Sequence, residues 1–261
     1  MNIEITIRDI RHLDEIISKI QELGPAQVNV TDKNGLTDNV LLIESMKELL
    51  PTVHFVPHYS FKNHTSKDKE KIVENYYSFL GEASSHGITE TMLISGSPRP
   101  KIDTLVGLEL AQDFFVDHAS TDISFAVAYN PFLSDDELVL EQHRLREKLK
   151  SPLVKRVYLQ MGSLLKPLKN GIEFVRSINP EIIVTPSIVI PDKNFLRKFR
   201  FRPWRGVIID DKYLANTKNA IAKTKELLAV ASDSNTDPLL EMVGFQHFKV
   251  SEFKEEFHDI L

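Results

Sequence analysis

Two spacings of apolar residues alternate along this chain, and together they predict strands that are followed by helices. Residues 3–7 form a short apolar run, whereas in 10–23 the apolar residues recur every three or four positions. The first pattern is typical of a buried strand and the second of a helix that packs through one face. Gly24 and Pro25 then end the helix. The same succession is repeated along most of the chain.

Eight strands and eight helices are predicted in this way. The predicted strands span 3–7, 27–31, 53–56, 91–95, 123–128, 156–160, 182–187 and 245–250. The predicted helices span 10–23, 37–50, 67–85, 105–118, 134–150, 164–178, 216–231 and 253–261. The segment 206–210 is also strand-like. Strands that alternate with helices form parallel sheets, and 261 residues is a typical barrel length, so we predict an α/β fold, a single-domain (β/α)8 TIM barrel over 1–261.

The composition narrows the class of protein. The net charge of −5 gives no electrostatic case for binding nucleic acid or an anionic membrane. The chain has no cysteine, which excludes disulfides and thiolate metal sites and fits a reducing compartment. No apolar run approaches the ~20 residues of a membrane span. We therefore expect a cytoplasmic protein with a small-molecule partner, and homo-oligomer formation stays open.

Polar residues follow the predicted strands, at the end of a barrel where active sites collect. Pro57 has no backbone donor, so we expect it to end the pairing of strand three and to release the residues after it. The candidate residues at strand ends are Glu4, Thr31, His58, Ser60, Gly96, Ser97, Tyr129, Asn130, Gln160 and Ser187.

Each candidate also has a structural interpretation. Glu4 lies in an apolar strand, so it either faces the interior as a general acid with a raised pKa or faces a helix or solvent. His58 either contacts a ligand or caps a backbone group. Gly96 either allows a ligand to approach or completes an ordinary turn. Gln160 either recognises the polar edge of a ring or bonds within the protein.

No metal site is predicted. Glu4 lies between two isoleucines, where a barrel metallohydrolase would carry a His-x-His pair. No zinc-binding helix pattern and no phosphate-binding loop motif is found in the sequence.

Short motifs, in order along nearly the whole chain, resemble those of the methylenetetrahydrofolate reductase family, whose members are flavin-dependent (β/α)8 barrels. The matching segments are Ile3-Glu4-Ile5, 28–32, Pro57-His58-Tyr59-Ser60, 93–98, 125–131, 145–148, Tyr158-Leu159-Gln160, 185–188 and 244–248. Each motif is short, and the resemblance rests on their order and spacing.

The resemblance implies an FAD-dependent oxidoreductase of one-carbon metabolism. Such an enzyme reduces 5,10-methylenetetrahydrofolate to 5-methyltetrahydrofolate with NAD(P)H. The resemblance also implies that Glu4 is the catalytic acid and that Gln160 and Ser97 bind the folate. The flavin contacts that it implies are Thr31, His58, Tyr59, Ser60, Ser95, Gly96, Ser97, Tyr129, Asn130 and Lys148.

The chain departs from the family pattern around the flavin. Ser97 stands where the family has an Asp, Ser95 stands where it has an Arg, and the loop after strand two is reduced to 33–35. The lost negative charge should shift the flavin potential. Two alternatives therefore stay open. One is a barrel that binds folate, flavin or a protein without hydride transfer, and the other is a flavin-free barrel of the folate methyltransferase type.

Overall fold

Eight parallel strands close into a barrel in the order of the sequence. This computed structural model describes residues 1–7, 9–32, 39–96, 101–118 and 123–258. The strands are β1 (Asn2–Ile5), β2 (Gln27–Val30), β3 (His54–Ser60), β4 (Glu90–Ile94), β5 (Ser124–Tyr129), β6 (Val154–Leu159), β7 (Ile183–Val189) and β8 (Leu239–Glu241). The predicted (β/α)8 TIM barrel is therefore confirmed.

Helices surround the barrel and cover the outer face of its strands. They are α1 (Leu13–Leu23), α2 (Asn39–Leu49), α3 (Lys69–Ser85), α4 (Thr104–Asp117), α5 (Asp135–Lys148), α6 (Leu165–Ile178), α7 (Lys193–Phe201), α8 (Asp211–Ala215), α9 (Thr217–Asp233) and α10 (Val250–Phe257). Their apolar faces and the outward-facing strand residues form the main hydrophobic core. The first two residues of the predicted second helix, 37 and 38, lie outside the described residues.

Closure of the barrel differs from the prediction. Strand eight is not 245–250 but Leu239–Glu241, which pairs with β7 on one side and β1 on the other. Residues 245–247 instead form a 3-10 turn after Gly244, whose φ is 76°. α10 then begins at Val250, because Val250, Phe253 and Phe257 follow the helical spacing of buried positions.

Two further predictions about strands are corrected. Pro57 does not end β3 but lies inside it. β3 pairs with β2 through Pro57 and with β4 from His58 onward, so the missing donor falls where the strand changes its partner. The strand-like segment 206–210 contributes only a single bridge, between Ile208 and Gly162.

We call the carboxyl ends of the strands the mouth of the barrel. The chain between β7 and β8 contains an insertion at this mouth. α7, residues 202–210 and α8 precede α9, and they enclose a second, smaller hydrophobic cluster. Polar contacts hold the insertion to the barrel. Asn130 Nδ2 donates to Gly206 O at 2.7 Å, and Ser163 Oγ donates to Asp210 Oδ2 at 3.0 Å.

The close approach of α4 to the sheet requires Gly107. A methyl group at this position would lie 2.4 Å from Cζ of Phe61, which is fully buried and cannot move aside. We predict that Gly107→Ala lowers the free energy of unfolding by about 1–3 kcal/mol, measured by urea denaturation.

Gly81 in α3 provides the control. A methyl group there would have its nearest neighbour, Phe114, at 4.0 Å. Gly81→Ala should therefore raise stability by up to about 1 kcal/mol, because alanine favours the helix. Equal effects of the two substitutions would contradict this account of how α4 packs.

Candidate functional site

A chain of hydrogen bonds crosses the interior of the barrel beneath its mouth. Asn29 Oδ1 accepts from Gln27 Nε2 at 2.7 Å and from the Tyr158 hydroxyl at 3.3 Å. Gln27 Nε2 also donates to the Tyr158 hydroxyl at 2.8 Å. Burial raises the pKa of Tyr158, so this hydroxyl keeps its proton. Buried polar groups in a barrel are costly unless they are paired, and this network pairs them.

The network determines which ring nitrogen of His58 carries the proton. Because the amide oxygen of Asn29 is already engaged, its Nδ2 faces His58 Nε2, at 3.2 Å. Nε2 must then accept, which places the proton of a neutral imidazole on Nδ1. Burial lowers the pKa of His58 to about 4, with Asp32 opposing this in part. His58 is therefore neutral at physiological pH.

Glu4 faces the interior of the barrel and not a surrounding helix. Its Oε2 lies 3.8 Å from His58 Nε2, and its side chain is 20% exposed, whereas that of His58 is 2% exposed. On the neighbouring strand Glu241 lies opposite Glu4 in the register, and it is also buried. The acid predicted from sequence is therefore one of two carboxylic side chains at adjacent positions.

Both carboxylic side chains line a cavity of ≈ 390 Å³, which we call the mouth cavity. Thr31 lines the same cavity, and its Oγ1 lies 2.8 Å from Thr6 Oγ1, which joins the ends of β1 and β2. On the side of the insertion, Lys198 and Trp204 complete the lining. The cavity thus combines hydroxyl, carboxylic, cationic and aromatic groups.

A second cavity, of ≈ 250 Å³, lies among the ends of β4 and β5 and the helices α4 and α5, and we call it the α4–α5 cavity. Ser95, Gly96 and Lys148 line it. Lys148 Nζ donates to Ala128 O at 2.8 Å. Burial lowers the pKa of Lys148, and Glu141, on the same helix face, opposes this shift. Three of the predicted cofactor residues therefore meet in one cavity.

Local structure accounts for part of this lining. Ser95 Oγ accepts from the Thr104 backbone N–H at 2.9 Å and thereby fixes the start of α4. Gly96 has a φ of 80°, and a Cβ there would lie 2.5 Å from Cβ of Lys62. The turn and the approach of Lys62 are therefore sufficient reasons for glycine at this position.

Two predicted cofactor residues point away from the mouth. Tyr59 packs against Tyr76 and Phe79 of α3, with ring centroids 4.9 and 4.7 Å apart. Tyr129 packs against Phe174 of α6 at 5.6 Å. Side chains alternate between the two faces of a strand, so both tyrosines lie on the helix side. This corrects the expectation that these side chains face a ligand at the mouth.

Other predicted residues make contacts within the protein. Besides donating to the insertion, Asn130 accepts from the Phe132 backbone N–H at 3.1 Å. Gln160 Oε1 accepts from the Met161 N–H at 3.1 Å, and Met161 lines the mouth cavity. Ser60 is buried at the end of β3. Ser97 lies outside the described residues.

Sequence reasoning missed Asp32, which joins β2 to the end of β3. Its Oδ2 accepts from the Ser60 backbone N–H at 2.8 Å and lies 2.9 Å from His64 Nε2. His64 also stacks on Tyr59, at 4.3 Å between centroids. The signal was available, because a polar residue that follows a buried strand often anchors the next loop.

Sequence reasoning also missed three residues of the mouth cavity, for other reasons: Glu241, Lys198 and Trp204. Glu241 was missed because strand eight was placed too late in the chain. Lys198 and Trp204 belong to the insertion, and no strand end precedes them directly. Their place at the mouth depends on how α7 folds back, which no local pattern reveals.

A larger cavity, of ≈ 520 Å³, lies between the segment after β7 and α10. None of the predicted site residues lines it. Within the described ranges no group of three or more His, Cys, Asp or Glu side chains is arranged to hold a metal ion. In the same part of the chain no helix is long and apolar enough to cross a membrane.

No protein-family model matches this chain, and no curated protein matches its sequence. Solved structures share its fold. The active domain 2 of a chitinase from Pyrococcus furiosus is 11% identical with a TM-score of 0.56, over 92% of this chain and 82% of that one. The probable 3-DHS dehydratase AsbF of Bacillus anthracis is 13% identical with a TM-score of 0.58, over 99% of this chain and 98% of that one. At such identities these similarities show the TIM-barrel fold alone.

The neutral state of His58 predicts a pH dependence of stability. Below the ordinary pKa of 6.5 the unfolded chain binds a proton at His58, whereas the folded protein binds it only near pH 4. The contribution of His58 to the free energy of unfolding is therefore complete above pH 6.5 and is lost as the pH falls toward 4. We predict a loss of about 3 kcal/mol across this window, measured by denaturation at several pH values.

His58→Gln is the matched variant, because its amide oxygen can still accept from Asn29 but does not titrate. Above pH 6.5 the difference in free energy of unfolding between the two proteins should be constant, and below pH 6.5 the wild type should lose stability faster than the variant. Parallel pH profiles for the two proteins would show that His58 is not the group responsible.

Proposed function

We propose that this chain is a flavin-dependent reductase that acts on a folate-like pterin, as its sequence resemblance implies. One observation carries the proposal. The acid and four of the flavin contacts implied by the resemblance line two cavities at the same end of the barrel. Glu4 and Thr31 line the mouth cavity, and Ser95, Gly96 and Lys148 line the α4–α5 cavity. These residues come from four separate parts of the chain, so proximity in sequence does not explain their grouping.

The residues of the α4–α5 cavity suit the anionic part of a flavin nucleotide. Lys148 and Arg144 offer positive charge to its anionic groups, and Ser95 and Thr104 offer hydroxyl groups. Asp103 and Glu141 line the same cavity and balance this positive charge. When bound, FAD would supply the substrate with a hydride that originates from NAD(P)H.

Glu4 is placed to supply the proton. Conversion of 5,10-methylenetetrahydrofolate to 5-methyltetrahydrofolate consumes one hydride and one proton, and NAD(P)⁺ is the other product. The proton is needed where a ring carbon–nitrogen bond opens. Glu4 lines the mouth cavity and has the neutral imidazole of His58 as a neighbour. In this proposal Glu4 acts as the general acid.

Substitution of Glu4 tests this role. Glu4→Gln should leave the anaerobic bleaching of bound FAD by NAD(P)H unchanged, because no proton donor to the substrate is needed for it. Formation of 5-methyltetrahydrofolate should fall about 100-fold or more. Rapid-mixing absorbance and product analysis measure the two steps separately.

Glu22→Gln, on the exposed surface of α1, is the control and should change neither step. Normal product formation by Glu4→Gln would remove Glu4 from the mechanism. Failure of the wild-type protein to bind FAD at all would overturn the proposed function.

Lys148 provides a test of the cofactor cavity. Lys148→Met should weaken FAD binding about ten-fold, measured by titration of flavin fluorescence, because a buried charge in the cavity is lost. Lys150→Met is the control, since Lys150 is 70% exposed at the end of the same helix and pairs with Glu147. Equal affinities of the two variants would place the flavin elsewhere.

A second function is favoured by the adjacent carboxylic side chains of Glu4 and Glu241. Two such groups in one cavity can act as acid and base without a cofactor, by protonating a leaving oxygen and activating water or removing a proton. The structural similarity to a chitinase and a probable dehydratase agrees with this chemistry. This second function predicts a protein that binds no flavin and in which Glu4→Gln and Glu241→Gln lower the catalytic activity equally.

A barrel that binds FAD without hydride transfer is the remaining alternative. It predicts that the protein binds FAD but that NAD(P)H does not bleach it under anaerobic conditions. The same absorbance experiment therefore separates all three functions.

A further inference from the structure

The side of the mouth cavity that is formed by the insertion contains the chain's only tryptophan, Trp204. Its ring is half-buried and makes edge contacts with Phe195 and Phe199 of α7, at 5.6 and 5.9 Å between centroids. Both phenylalanines are buried in the second hydrophobic cluster. The indole is therefore held at the cavity by packing and offers a rigid aromatic surface to a ligand.

Lys198 lies one turn before the end of α7 and lines the same cavity. Its side chain is exposed, and within the described residues its ammonium group forms no ion pair. Glu4 and Glu241 line the same cavity from β1 and β8, and His247 lines it from the turn after β8. The cavity thus has two carboxylic side chains from the barrel and a single lysine, from the insertion.

This separation of charge would orient a ligand. Carboxylic side chains at β1 and β8 attract the N–H groups at the edge of a nitrogen heterocycle and repel an anion. Lys198 attracts an anion. Trp204, on the same side of the cavity as Lys198, can pack against a planar ring.

We propose that the mouth cavity binds a planar heterocycle with an anionic tail, in which the ring packs against Trp204 and the tail carboxylate pairs with Lys198. The N–H edge of the ring faces Glu241, which leaves Glu4 for the proton transfer. The proposal deepens the proposed function, on which it rests for the substrate class, and it adds two residues that the sequence resemblance does not include.

Calorimetric titration with folate and with pterin, which lacks the tail, tests the role of Lys198. Lys198→Met should weaken folate binding about five-fold, because the tail carboxylate loses its cationic partner. Pterin binding should be unchanged, because pterin has no tail. The difference should shrink as salt is added. Arg200→Met, an exposed cation on the same helix that does not line the mouth cavity, should bind both ligands like the wild type.

Trp204 is tested with two variants, because removing the ring also disturbs the second hydrophobic cluster. Trp204→Leu should weaken folate and pterin alike, about ten-fold. Trp204→Phe keeps an aromatic ring and should recover most of the affinity. If Trp204→Leu binds both ligands like the wild type, the indole does not contact the ring.

The titrations are performed with and without FAD, which separates this inference from the proposed function. Binding of folate that depends on Lys198, in a protein that does not bind FAD, supports the inference and overturns only the reductase. Reduction of bound FAD by NAD(P)H with equal folate affinities of Lys198→Met and Arg200→Met overturns the inference and leaves the reductase. Absence of folate binding at millimolar concentration also overturns the inference.

Discussion

The pairing of polar side chains inside the closed barrel is the constraint on which the site depends. Asn29 is the centre of this pairing, because it bonds to Gln27 and Tyr158 through its oxygen and to His58 through its nitrogen. A polar group left unpaired here would cost about 1–3 kcal/mol. The network ties β2, β3 and β6 together, and burial keeps His58 neutral. It leaves Glu4, at the upper edge of the network, with its side chain in the mouth cavity.

Several polar residues at the strand ends stabilise the mouth through contacts within the protein. Asn130 anchors the insertion, Asp32 joins β2 to β3, and Ser95 fixes the start of α4. A rigid mouth of this kind positions the few groups that remain for chemistry. The insertion between β7 and β8 contributes to both tasks, since its hydrophobic cluster holds Trp204 while its surface presents Lys198.

The sequence predicted the barrel because seven strands are clear apolar runs separated by helical stripes. It failed at β8, where three residues, Leu239–Glu241, close the barrel and a stronger apolar pattern follows them. Glu4 could be predicted, because a carboxylic side chain in an apolar strand is costly to bury unless it is paired or functional. The orientation of Tyr59 and Tyr129 required the strand register, and the place of Trp204 required the tertiary fold, neither of which local spacing determines.

The central claim is that a flavin held by Lys148 and a proton donor, Glu4, serve one substrate at the same end of this barrel. A crystal structure of the protein grown with FAD tests it most directly. Our account predicts electron density for a flavin in contact with Lys148, with its ring facing the mouth cavity that Glu4 lines. Flavin density that makes no contact with Lys148, or no flavin density at saturating FAD, would contradict it.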